Sequence, residues 1–329
     1  MNNVRNYKER LDSIGQEIFG NKTEDSAEMK RKQTAYNRAF WDSMQTGYVS
    51  DALKEGSDGS GGYLVPDEFD ERIIKALEEE NILRKLGKVI KTEHTHKIPR
   101  MVDGYEAEWY DENDRFNFSG AKFDEIVFNA YKLGALIKVS NEFLEDTPKD
   151  IENFICEMIV ERFSRSEEEA FFAGDGIGKP LGIIHQAQVG AVTENDGDIN
   201  LDDIIELTYS VKKLYRENAV FIMSEEVCAH LKKFKNYNGR NVWKVVNGEP
   251  DTLFGYPVYT TTKLDGIKSG NKPVLFVNFY YYCIAERGNR IIRRLSERYA
   301  ELGQVGFIGT QRVDAKLVDP EAVKSLEIK

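Results

Sequence analysis

The sequence predicts an α+β chain, and three observations carry that reading. A β-rich stretch runs from Val89 to Val139, interrupted by a long polar tip. One strong helix follows over about 26 residues, or ~39 Å at 1.5 Å per residue. The remainder then mixes strands and helices with no repeated βαβ rhythm and no internal repeat.

The 329 residues, 41% hydrophobic and 11% aromatic, suffice for a substantial core in roughly two domains of common size. Wholesale disorder is excluded on the same grounds. No apolar run approaches the ~18 residues a membrane span needs. The first twenty residues, MNNVRNYKERLDSIGQEIFG, are charged and helical in pattern, without an apolar signal core or cleavage site. These features predict a protein made and kept in a cytoplasm, with no membrane partner. Cys156, Cys228 and Cys283 are odd in number, widely spaced and set among apolar residues, which predicts buried reduced thiols. The net charge of -11 argues against a surface that coats nucleic acid; a nucleic-acid partner would be enclosed and not gripped.

Residues 1 to about 50 read as a first helical unit. Val4, Tyr7, Leu11, Ile14 and Ile18 recur at helical spacing, Gly20, Asn21 and Thr23 interrupt, and a second stretch runs through Ala35, Ala39, Phe40 and Met44 to Gly47. Two heptads are too few for a free-standing coiled coil, so this unit needs something to pack against. Gly56 to Gly62 is a flexible linker by composition. Val65-Pro66 is extended, and Glu68 to Leu86 forms a helix with Phe69, Ile73, Ile74 and Leu77 on one face.

Val89 to Val102 contains one strand and Glu125 to Ser140 a longer second one. Between them Asp111 to Gly120 is too long and polar for a tight turn, so the pattern is a two-stranded finger. Such a finger is marginally stable alone, and its apolar side chains predict that it lies on another molecule. Thr147-Pro148-Lys149-Asp150 opens a spine helix with a cap, a first-turn proline and an acid. Ile151, Phe154, Ile155, Met158, Ile159 and Phe163 form its stripe, and Gly174-Asp175-Gly176 stops it after Ala173. Beyond lie a helix over Leu201–Tyr215, a strand over Ala219–Met223 and a helix over Glu225–Phe234 capped by Ser224. Strands follow at Pro257–Thr261, Pro273–Phe279, Tyr281–Ala285, Arg290–Leu295 and Val305–Val318.

No motif completes a catalytic or cofactor site. The run Gly174 to Pro180 invites a phosphate-loop reading, but Ala173 stands where the first glycine is needed and Pro180 where Ser or Thr is needed. It also follows a helix instead of opening one. Gly174, Asp175, Gly176, Gly178 and Pro180 therefore read as a structural turn after the spine helix. His94 and His96 would share a strand face and could hold a metal, yet only Glu93 lies close by to complete a ligand set, so a solvated strand face is the default reading and no metal is expected. His185 and His230 stand alone. Glu78-Glu79-Glu80 and Glu167-Glu168-Glu169 fan around their helices and read as solvated faces. No Gly-x-Ser-x-Gly elbow exists, and the three Cys have no His placed suggestively. The expectation is a protein that is not an enzyme and has no cofactor, with an arm, a finger and a spine suited to assembly.

Several stretches together resemble the phage capsid family, whose fold is the Hong Kong 97 type. Gly61 to Pro66 opens the globular part, Leu133 to Ser140 ends the finger, and Leu144 to Pro148 opens the spine. Glu168 to Ile183 closes the spine and is the most specific stretch. Leu253 to Val258 and Arg312 to Val323 complete the set, in the family's order, from about residue 35 to the end. The resemblance implies a helical leader and possible scaffolding segment at 1–50 and an N-terminal arm at 51–70. The peripheral domain would take 71–93, 131–190 and 289–329, the extended loop 94–130 and the axial domain 191–288. It also implies hexamers and pentamers closing into an icosahedral shell around double-stranded DNA, assembled in a bacterial cytoplasm. Implied partners are further copies of the chain, a portal, a maturation protease and scaffolding or decoration proteins. On the finger, Trp109, Tyr110, Arg115, Phe116, Phe118 and Phe123 would meet the neighbouring subunit.

Two departures from the family stand out. Some relatives join subunits through a loop Lys, an Asn and a Glu base; here the loop reads Asp111 to Arg115 without a Lys, and Gly303 and Thr310 fall near the other two places. The leader is also shorter than the family's usual scaffolding segment, and a protease cut between it and Gly56 is the expected processing. An encapsulin-like compartment shell is the alternative on the same fold. A metal-dependent cytosolic hydrolase built on His94 and His96 is the alternative of another class.

Overall fold

The structure, a computed structural model, describes residues 30–56, 63–103, 122–146, 151–235, 242–245 and 250–329. The described part of the chain opens with α1 (residues 30–46), a 3-10 turn at Asp51–Gly56, β1 (Tyr63–Leu64), α2 (Asp67–Glu80) and α3 (Ile82–Leu86). The β-rich part comprises β2 (Lys88–Thr92), β3 (His96–Asp103), β4 (Lys122–Phe128) and β5 (Tyr131–Ser140). Helices α4 (Asn141–Asp146), α5 (Ile151–Ala173) and α6 (Ile183–Gln186) come next, followed by β6 (Gln188–Val192), α7 (Leu201–Ser210) and α8 (Lys213–Arg216). Then come β7 (Val220–Ser224), α9 (Glu225–Leu231), β8 (Trp243–Lys244), β9 (Thr252–Leu253) and β10 (Tyr256–Thr261). The chain ends with β11 (Val274–Val277), β12 (Tyr282–Arg287), β13 (Ile291–Leu295), β14 (Gln304–Leu317) and β15 (Val323–Glu327).

These elements form two compact units. The first comprises Met1–Ile73, Ala135–Ile159 and Asn289–Gly309; the second comprises Ile74–Gly134, Val160–Gly288 and Thr310–Lys329.

In the first unit α1 has a packing partner of its own. Phe40 and Met44 are fully buried, and Trp41 meets Phe69 of α2 edge-on at 4.7 Å. The Tyr36 hydroxyl donates to the Leu64 carbonyl at 2.8 Å, and Gln33 and Asn37 donate to Asp67 and Glu68 at the start of α2. The second helical stretch of the leader thus packs on α2, while the first, through Val4 and Ile18, lies outside the described residues. β1 pairs antiparallel with β13, and Arg290 beside it donates to Asp70 at 2.7 Å.

In the second unit a seven-stranded sheet, counted among the described residues, runs β6-β15-β11-β7-β10-β9-β8. Its central strands are apolar without interruption because both faces are covered. Phe221, Met223, Val274 and Phe276 turn to a core shared with α7 and α9. Val220, Ile222, Leu275 and Val277 turn to a second core with Phe171, Phe172, Tyr282, Ile284 and Ala315. Residues 313–317 of β14 pair with β12, which pairs in parallel with β2. The cysteines are free and buried.

Several expectations are corrected. The helix expected over 68–86 breaks at Asn81, whose buried side chain accepts from the Leu83 and Arg84 amides and starts α3. Each expected strand of the finger is two: β2 and β5 leave it, and among the described residues β3 and β4 form it. The helix expected through Tyr215 ends at Ser210, and that expected to Phe234 ends at Leu231. β6 and β15 were not read from the sequence, because QVGAV and VKSLE carry polar residues that hide a sheet position.

Candidate assembly site

β3 and β4 form a separate two-stranded antiparallel ribbon, from His96↔Phe128 at its root to Asp103↔Lys122. Neither strand pairs with another among the described residues. Both are edges, which is why Pro99, lacking an N–H, is tolerated in β3. Lys97 reaches Glu125 at 2.6 Å and Arg100 faces Asp124 at 3.6 Å. The Lys97–Glu125 pair is exposed, and such pairs add little stability.

The root is built differently. Phe128 is almost fully buried against Cys283 and Ala285, with Ile90, Ile98, Ile126 and Val318 around it. Ile98, Ile126 and Phe128 near the root therefore pack on their own unit. Three successive backbone groups at this root meet charged side chains. Lys316 donates to the Val127 carbonyl at 2.7 Å, Arg287 to the Phe128 carbonyl at 3.2 Å, and the Asn129 amide to Asp314 at 2.7 Å. Asp314 has no exposed surface, and burial pushes its carboxyl above the usual carboxylate range, although the Asn129 amide, Lys316, the Ala315 amide and Arg287 all oppose the shift.

The ribbon root is also joined to the glycine turn. The Asn129 side-chain amide donates to the Tyr131 hydroxyl at 3.2 Å, and that hydroxyl donates to the Gly176 carbonyl at 3.0 Å. The turn ends α5 with a Gly174 amide bond to Ala170 and closes on itself through the Gly182 amide and the Gly174 carbonyl at 2.8 Å. A Cβ at Gly174 would overlap the carbonyl oxygen of Pro180. Gly176 and Gly178 have φ of +78° and +70°, a region open to glycine at little cost. The Ile177 amide donates to Asp175 at 3.0 Å.

Behind the root lies a polar cluster that sequence reasoning missed. Arg84 donates to Glu167 at 2.6 and 2.7 Å and to Glu286 at 2.6 Å. Gln311 donates to Glu167 at 2.5 Å. Burial works against the Arg84 charge, but the two carboxylates outweigh it and hold the guanidinium above its ordinary pKa. Glu167 is thus not on a solvated face as expected; its neighbour Glu169 is exposed, as are Glu78 to Glu80. Consecutive helical residues point in different directions, so one glutamate of a run can turn inward while its neighbour stays exposed, and the run alone does not say which.

Trp109, Tyr110, Arg115, Phe116 and Phe118 lie outside the described residues, as do Thr147 to Asp150 and the glycine-rich 57–62. Phe123 stands in β4 opposite Met101. His94 sits in the bend before β3, so it does not share a strand face with His96. His230 is not alone in space: it lies 3.2 Å from Asp198. Among the described residues no group of three His, Cys, Asp or Glu is placed to hold a metal, and no helix is long and apolar enough to cross a membrane.

The model of the phage capsid family matches residues 61–328. The major capsid protein of Klebsiella oxytoca phage phiKO2 is 26% identical over 265 residues, covering 75% of this chain and 61% of that one. The major capsid protein of Staphylococcus phage 80alpha is 26% identical over 220 residues, covering 66% and 65%. The chain thus spans a little under two thirds of the length of these curated relatives. Among solved structures, the capsid of the native GTA particle computed with C5 symmetry is similar at a TM-score of 0.66 and 28% identity, covering 75% of this chain and 89% of that one. A protein of Gordonia phage Cozz, 15% identical with a TM-score of 0.57 over 76% and 86%, shares the fold. These likenesses favour neither the enzyme-enclosing compartment nor the hydrolase.

Proposed function

The chain belongs to the phage capsid family, and from that membership we propose that it is the major capsid subunit of a phage or prophage, a structural protein that assembles with copies of itself. The subunits form hexamers and pentamers of an icosahedral shell that encloses double-stranded DNA without gripping its sequence. The observation that carries the reading is the β3/β4 ribbon, which among the described residues pairs with no other strand and packs on its own unit at its root. A two-stranded sheet is marginally stable alone; lying across a neighbouring copy supplies the missing burial, repeated in every subunit. Trp109, Tyr110, Arg115, Phe116, Phe118 and Phe123 are assigned to that contact, and the turn from Gly174 to Pro180 to shaping the end of the spine helix. The partners are further copies, a portal, a maturation protease and scaffolding or decoration proteins; assembly takes place in the host cytoplasm and the product is the virion shell.

The test is expression of the full chain followed by negative-stain electron microscopy and sedimentation. Capsomers or closed shells are the expected outcome. A monomer at every concentration, alone and with its maturation partners, overturns the proposal.

A further inference from the structure

We infer that the direction of the β3/β4 ribbon is set by Lys316, Arg287 and Asp314, three positioning residues that grip consecutive backbone groups at its root. This rests on the reading that the ribbon reaches a neighbouring copy, and it assigns residues to the aiming of that contact.

Two kinds of interaction hold the root. The cluster around Phe128 keeps the ribbon down, but apolar packing is non-directional and tolerates tilt. The bonds to Val127, Phe128 and Asn129 are directional and charge-assisted, and such bonds are shorter and stronger than neutral ones. They differ in sense: the Val127 and Phe128 carbonyls accept from cations, and the Asn129 amide donates to a carboxylate.

The three grips come from a rigid base. Asp314 and Lys316 stand two apart on β14, opposite Ala285 and Cys283 of β12. Arg287 ends β12, next to Glu286, which turns away to Arg84 because successive strand residues face opposite sides. Asp314 is further fixed by accepting the Ala315 amide at 2.9 Å. The buried Arg84 cluster thereby holds the strand from which Arg287 acts.

The geometry amplifies any slack. β3 has eight residues, about 27 Å at ~3.4 Å per residue, so a tilt of about 10° at the root moves the far end by about 5 Å. That displacement is enough to take a side chain out of a pocket on the next subunit.

The experiment compares the wild-type chain with the double variant Lys316→Met and Arg287→Met, which keeps much of the aliphatic stems and removes both charges. Hydrogen exchange at ribbon amides, thermal melting and shell yield are read in parallel. The expected result is a melting temperature within a few degrees of wild type, at least tenfold faster exchange in β3 and β4, and at least tenfold fewer regular shells. Lys316→Arg, which retains a cationic donor, is expected to recover most of the yield lost by Lys316→Met alone. Unchanged ribbon exchange overturns the inference, and so does fast exchange with normal shells. If the double variant does not fold, the single Lys316→Met variant takes its place with the same criteria. Wild type that forms no shells refutes the function proposed above, while the exchange comparison still decides whether these residues hold the ribbon.

Discussion

Arg84 and Glu167 meet through two hydrogen bonds of 2.6 and 2.7 Å, with side chains that are 0% and 1% exposed. A bidentate guanidinium–carboxylate pair in that setting is strong only while complete. Replacing Arg84 by Ala strands the Glu167 and Glu286 carboxylates in the interior, and removing one partner of a buried pair costs about 3–5 kcal/mol. Urea denaturation of the unassembled subunit should show that loss. Arg84→Lys keeps the charge but not the fork, so it should also destabilise, by less.

Asp314 gives the second unit a definite pH response. Its carboxyl is raised by burial, so the folded protein binds this proton more tightly than the unfolded chain does. The charged form therefore costs stability at neutral pH, and the cost is relieved as pH falls through the raised folded value toward the unfolded one. Melting of wild type and Asp314→Asn from pH 7 to pH 4 should show their difference moving in favour of wild type. A constant difference across that range would disprove the assignment.

The glycine turn separates close approach from backbone strain. Gly174→Ala drives a methyl into the Pro180 carbonyl and the Ala170 oxygen, and overpacking of this kind costs about 1–3 kcal/mol or more. Gly178→Ala meets nothing within 4 Å but keeps a φ of +70°, so it should cost about 1–2 kcal/mol. Denaturation midpoints that reverse this order would mean that the turn shifts to make room for a side chain.

Phe40 tests whether the leader helix is part of the subunit. Its side chain is wholly buried, so Phe40→Ala should destabilise the first unit by about 3–5 kcal/mol. Deleting residues 1–46 should uncover the Phe69 face and raise binding of a hydrophobic dye. Processing between the leader and Gly56 would carry the same cost unless the excised helix stays docked. Mass spectrometry of mature particles under native and denaturing conditions distinguishes loss from retention.

No covalent mesh is expected between subunits. Isopeptide formation needs a Lys amine beside an amide and a base in a dry place, and the loop from Asp111 to Arg115 has no Lys. Mature shells boiled in denaturant should run as a single-subunit band, and a ladder of multiples would show the expectation wrong.

The sequence by itself determined the α+β class, the finger, the spine helix and its glycine stop, because periodicity, proline and glycine act within a few residues of chain. It also carried the family resemblance, spread in order over most of the chain. Only the tertiary structure decided where the polar partners go. Asn81 reads as an ordinary helical residue until its side chain is seen capping α3. Glu167 looks identical to Glu169 until one is buried beside Arg84, 83 positions away. Asn129 and Asp314, 185 positions apart, share no local signal. Burial and charge pairing are properties of the packed chain, set by which surfaces the sheets bring together, and no window of sequence contains them.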